Sequence, residues 1–178
     1  MKNLLVIIIF VAVLSVSIPN HAQSAPVWPK PDLPSPVEIL ETNLGRLVAL
    51  IQSNGGELQK DRCKNDWTQV RFKDGSSIGI LSPQGETEYV EYDFMQTEKQ
   101  IKMGELLPYL RANTKVLTRT FLPKKGEERL GEQPAIVALW GKGKYYWEVN
   151  AYLDSNNEKD WKNGRVIVLR VGSRLLEE

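Results

Sequence analysis

The sequence predicts an α+β fold: an N-terminal amphipathic helix packed on a curved antiparallel sheet, with a short, broken middle helix. Three observations carry this expectation. Val37, Leu40, Leu44, Leu47, Val48 and Ile51 recur at helical intervals and draw one apolar stripe. From Glu57 onward the periodicity turns to two, the side-chain repeat of a strand. Between residues 97 and 113 a second helical pattern (Ile101, Met103, Leu106, Leu107, Leu110) meets Gly104 and Pro108, which predicts two short turns rather than one long helix.

The chain opens on Met1-Lys2-Asn3, and residues 4–18 are apolar apart from Ser15 and Ser17. Pro19-Asn20 ends that run, and the small residues Ala22, Ser24 and Ala25 follow. A basic start, a short apolar run and a small-residue site describe a secretory signal peptide over residues 1–25. Cleavage is expected after Ala22, Ser24 or Ala25. A spanning helix needs about 20 apolar residues. The run is shorter than that, and no later stretch approaches it, so no membrane span is expected once the leader is removed. The chain is therefore expected in the bacterial periplasm or outside the cell.

Loss of the leader changes the chemistry available. It takes Lys2, so the 23 Lys and Arg fall to 22, equal to the 22 Asp and Glu. A neutral domain with interspersed charge argues against nucleic acid as a partner. It also takes His21, the only histidine, which excludes Ser-His-Asp and Cys-His catalysis and any His-containing zinc site. Cys63 is the single cysteine, so no internal disulfide can staple the fold. It reads first as a small apolar packing group, and second as a reactive or intermolecular thiol favoured by Arg62 and Lys64.

Residues 26–36 form a Pro-rich lead-in with prolines at 26, 29, 31, 34 and 36. Such a segment is stiff and extended. A spacer is the default expectation, whereas Trp28 and Leu33 make a strap laid over the domain plausible. The helix that follows starts at Ser35-Pro36-Val37-Glu38, which has capping-box spacing, and stops at Asn54-Gly55-Gly56.

Residues 68–73 alternate, Asp74-Gly75 signals a hairpin, and 76–81 return. Pro83-Gln84-Gly85 turns the chain into a third strand over 86–94. Residues 115–122, 135–140, 144–153 and 165–171 supply the later strands. Gly141-Lys142-Gly143 is a turn, 154–164 a polar loop, and 124–133 a charged, exposed segment. Residues 37–178 are taken as one domain, with a possible subdivision near Thr114.

Gly141-Lys142-Gly143-Lys144 superficially resembles a phosphate loop, but a Tyr-Tyr-Trp strand follows where a helix is required. Residues 154–160 alternate oxygen side chains as a calcium loop does, but Lys159 and Arg165 stand where glycine and the closing acid belong. Neither a metal site nor a cofactor is expected. Glu86, Glu88, Glu91, Asp93 and Glu148 lie on or beside strands and could supply the two acids of a glycosidase.

The most suggestive segment is 144–153. Tyr145, Trp147, Val149, Ala151 and Leu153 alternate onto a core face, while Tyr146, Glu148, Asn150 and Tyr152 alternate onto the other. Aromatic rings interleaved with hydrogen-bonding groups suit a sugar, peptide or protein surface. These four are the candidate ligand-binding residues. The competing reading is that both faces of the strand are covered. The expected function is a non-catalytic exported domain that binds a protein, small molecule or glycan. The alternatives are a carboxylate-dependent glycan hydrolase and a structural or assembly factor of an envelope complex.

Overall fold

A computed structural model describes residues 26–114, 118–122, 135–141, 143–153 and 157–173. The expected leader, the charged segment 124–133, Lys142 and residues 154–156 of the calcium-like loop lie outside the described residues. Within them the chain is a mixed fold of few helices and one eight-stranded antiparallel sheet. The helices are α1 (Pro36–Leu40), α2 (Leu44–Ser53) and α3 (Met103–Asn113). The strands are β1 (Glu57–Leu58), β2 (Trp67–Arg71), β3 (Ser77–Leu81), β4 (Tyr89–Asp93), β5 (Thr118–Leu122), β6 (Ala135–Trp140), β7 (Tyr146–Tyr152) and β8 (Arg165–Gly172). No helix among them is long and apolar enough to cross a membrane.

The spatial order is β1-β2-β3-β4-β8-β7-β6-β5. Each half is a meander of neighbouring strands, and the last strand joins the halves by pairing with β4, Tyr92 opposite Leu169. Period-two alternation sends one side of every long strand inward: Ile78 and Ile80, Val90 and Tyr92, Leu169 and Val171, Trp147 and Val149, Ile136 and Ala138 are all buried. Trp147, Val149, Ala151 and Leu153 are core as their alternation required, with Tyr145 packed at the margin.

The β2–β3 hairpin turns at Lys73-Asp74-Gly75. The Phe72 N–H donates to the Ser76 carbonyl, and Gly75 sits at φ +88°, the left-handed residue that three-residue hairpin loops require. β4 starts at Tyr89 rather than Glu86, because Pro83–Gly85 winds a 3-10 turn and the strand forms only after it.

The Pro-rich lead-in is a strap, not a spacer. Trp28 is 8 % and Leu33 3 % exposed. The Trp28 ring lies 5.4 Å from Tyr92 and 5.1 Å from Tyr109, centroid to centroid. The Tyr92 hydroxyl donates to the Pro34 carbonyl at 2.6 Å, tying the strap to the central strand. Lys30 is buried and paired with Asp74 in the hairpin turn, Nζ to Oδ2 2.6 Å.

Burial works against the Asp74 carboxylate, but the hydrogen bonds from Lys30 and Ser76 outweigh it and hold its pKa below the ordinary 3.8. A depressed carboxylate stabilises the fold above its unfolded pKa, and that contribution is lost as pH falls through the folded value. In acid titration the stability gap between wild type and Asp74→Asn should therefore stay constant above about pH 3.8 and shrink as pH falls below it. Parallel curves across the whole range would remove Asp74 from the account.

Two helical expectations need correction. The single N-terminal helix is divided into α1 and α2. Ser35 and Glu38 make the expected capping box on α1, but Asn43 caps a new helix by accepting from the Arg46 N–H at 3.1 Å. Thr42 meanwhile turns its hydroxyl back onto the Glu38 carbonyl. The break re-aims the stripe, so Leu47 and Ile51 are buried while Val48 is 51 % exposed.

The middle helix is not broken: α3 runs through Pro108 over 11 residues. The carbonyl that Pro108 forgoes belongs to Gly104 in the first turn, so the loss falls at the helix end. Gly104 is there for another reason. A Cβ on it would come within 3.1 Å of the Lys162 carbonyl, in the 3-10 segment Glu158–Asn163 that seats Trp161 in the core. Part of the expected polar loop is thus a packed element.

Candidate functional site

The other side of the sheet carries the polar residues, and strand register sorts them into rows. The central row runs Gln69, Gly79, Glu91, Arg170, Glu148, Leu139. Arg170 stands between two glutamates on neighbouring strands and grips both, Nε to Glu91 Oε2 and Nη1 to Glu148 Oε1, each at 2.8 Å. Asn150 donates to the same Glu148 oxygen at 3.1 Å, and the Tyr89 hydroxyl reaches Glu91 Oε2 at 3.4 Å. The result is one connected chain, Tyr89–Glu91–Arg170–Glu148–Asn150, across three strands.

Burial raises the Tyr89 phenol well above its ordinary pKa, and the negative charge of Glu91 adds to the shift. Tyr89 therefore stays a neutral donor. Arg170 is likewise held charged, because its two carboxylates outweigh a burial that opposes the charge.

One end of this face is aromatic. Trp67, Leu81, Tyr89, Gly172 and Tyr146 share a row, so a residue without a side chain lies between the two tyrosines. The Trp67 indole lies over Gly79, where a Cβ would come within 2.0 Å of the ring. Its N–H donates to Gln69 at 3.2 Å, and its ring is 6.3 Å from that of Tyr89. Glycine at 79 makes room for a tryptophan lying across the sheet.

The four residues expected from alternation all lie on this face, and they separate there. Glu148 and Asn150 join the Arg170 network. Tyr146 sits at the aromatic end, 46 % exposed. Tyr152 lies beyond the register shift at Asn150/Ala151, opposite Arg165, whose guanidinium is 5.7 Å from the ring. The Asn150 Oδ1 and Arg165 Nε atoms are buried without a hydrogen-bond partner among the described residues.

Of the expected carboxylates, Glu91, Asp93 and Glu148 reach the face. Glu86 is exposed at the turn, and both it and Glu88 precede the strand. Sequence reasoning missed Arg170, Trp67 and Tyr89. The available signal for Arg170 was one cation inside the otherwise apolar run 166–171. Cys63 is half-buried, its thiol 3.2 Å from the Gln59 carbonyl. No group of three His, Cys, Asp or Glu side chains is gathered for a metal among the described residues.

Removing the guanidinium tests the network. Arg170→Met should lower stability by about 1–3 kcal/mol, less than a fully buried pair would lose because these groups keep partial contact with water. Adding Glu91→Gln and Glu148→Gln should restore part of the loss, because the repulsion goes with the charges. Urea denaturation of the set measures both effects, and a neutral Arg170→Met would remove the clamp from the account.

Cross-strand register thus gathers a cation, two carboxylates, amides and aromatic rings on one side of a sheet whose other side is core. Such a surface can hydrogen-bond a polar ligand and stack against it. The chain matches no protein-family model, no curated protein and no solved structure.

Proposed function

We propose that the chain is an exported, non-catalytic binding domain of the bacterial envelope or extracellular space, taking a protein, small molecule or glycan on the outer face of its sheet. The N-terminal helices cover the inner face of a curved sheet in this reading, leaving the outer face for the ligand. The observation that carries it is the Arg170 clamp beside the aromatic row of Trp67, Tyr89 and Tyr146. A guanidinium already hydrogen-bonded to two carboxylates is a preorganised binding surface. The leader pattern supports export.

Glu91 and Glu148 also support a second reading as a glycan hydrolase, since both acids face the same side two strands apart. Hydrolysis needs two carboxyl groups in different roles, and sharing one guanidinium makes these alike.

The deciding experiment is a cross-linked pull-down from the native envelope together with a glycan panel, using wild type, Tyr146→Ala and Glu148→Gln. Binding should fall about tenfold or more in each variant if the ring and the acceptor contact the ligand. Unchanged binding in both would end the outer-face reading. Glycan turnover lost in Glu91→Gln and Glu148→Gln would establish the hydrolase instead.

A further inference from the structure

The same side of the sheet holds a second feature, at the end away from Tyr146. Arg71, Ser77 and Asp93 stand in register on β2, β3 and β4. Two strand spacings, about 10 Å, separate the outer pair. A hollow of about 170 Å³ opens at this row, lined as well by Gln59, Arg62, Gln69 and Gln96.

The walls are held in place before any ligand arrives. Arg71 donates to Gln96 at 3.3 Å, Gln69 donates to Ser77 at 2.9 Å, and one Asp93 oxygen accepts from the Met95 N–H at 2.8 Å. The turn at Gly75 closes the end, packed against the Gln96 carbonyl.

The lining selects a chemistry. Among the described residues it holds no apolar side chain, so an apolar ligand has nothing to bury against. Two guanidinium groups against one carboxylate favour a single negative charge. A bare inorganic anion would leave three glutamines unused and would face Asp93. We infer that this hollow is a binding site for a small polyhydroxylated carboxylate, a sugar acid, whose carboxylate pairs with Arg62 and Arg71 and whose hydroxyls bond to Asp93, Gln69 and the facing amides. Arginine suits a carboxylate through paired N–H donors, and Asp93 accepts from hydroxyls that a simple carboxylic acid lacks. The site shares Gln69 with the central row but no residue with Tyr146, Glu148 or Asn150, and it stands whether or not those three bind a ligand.

The test is calorimetric titration of the purified mature protein with glucuronate and galacturonate, beside glucose, acetate and glutamate. The expected result is saturable binding of a uronate at one site, with the three controls at least about tenfold weaker. Arg62→Gln and Arg71→Gln should each weaken it about tenfold or more, the loss of one charge-assisted pair. Arg62 is exposed, so its variant should keep the wild-type melting temperature and stay interpretable if Arg71→Gln does not fold. Tyr146→Ala should bind uronate as wild type does. No saturable uronate binding by folded protein, a control bound as tightly, or affinity unmoved by Arg62→Gln would each overturn the inference. So would loss of binding in Tyr146→Ala.

Discussion

Trp28→Ala should destabilise the domain by about 3–5 kcal/mol, the usual cost of removing a large aromatic side chain from a packed core. Trp28 precedes the first helix and would be dismissed as linker on position alone. It is 8 % exposed, and it begins a ring series that continues through Tyr109 to Trp147 on β7, 5.9 Å further on. Its indole N–H has no hydrogen-bond partner among the described residues, so the loss is one of packing. Trp28→Phe, which keeps a ring and forfeits no hydrogen bond, should therefore cost much less. At about 2–4 °C per kcal/mol for a chain of this size, the alanine variant should melt roughly 6–20 °C below wild type. An alanine variant that melts with wild type would make the lead-in a spacer after all.

Gly75→Ala should cost about 2–4 kcal/mol, adding the strain of a left-handed backbone to a steric conflict. Gly75 sits at φ +88°, and a Cβ there would come within 2.3 Å of the Gln96 carbonyl oxygen. The obstacle is backbone, so no rotamer change relieves it. Gly85 supplies the control within the same molecule: its φ is +85°, and none of the described residues lies within 4 Å of its Cβ position. Gly85→Ala should show only the backbone component, about 1 kcal/mol. Denaturant midpoints of the two variants separate steric crowding from conformational strain. Equal losses would mean that the contact with Gln96 is relieved by loop movement.

How much of this was legible in the sequence follows from the range of the interactions. The seven longer strands were readable because alternation is set by the residues themselves. The hairpin at Asp74-Gly75 was readable because turn chemistry is local. The inward and outward assignment of 144–153 was readable for the same reason. The division of the first helix was written in Thr42-Asn43, two residues that compete locally for helix backbone groups, and the apolar stripe masked it. The continuity of α3 was not written locally, because the packing of Gly104 against Lys162 lies far along the chain.

The candidate site divides in the same way. Glu148 and Asn150 were legible as outward residues of one strand. Their joining to Arg170 and Glu91 was not, because nothing in β7 specifies that β8 is its neighbour or that β8 also pairs with β4. Trp67 at the aromatic end depends on Gly79, two positions along the facing strand from its partner Leu81, a cross-strand relation invisible until register is known.

The sequence by itself determined the periods, the turns and the absence of cysteine pairs, since each depends on neighbours within a few residues. The tertiary structure alone decided that β8 joins the two halves of the sheet, that the Pro-rich segment belongs to the core, and that a single arginine holds glutamates 79 and 22 positions away. Those outcomes rest on burial shared between distant segments, and shared burial has no local sequence pattern.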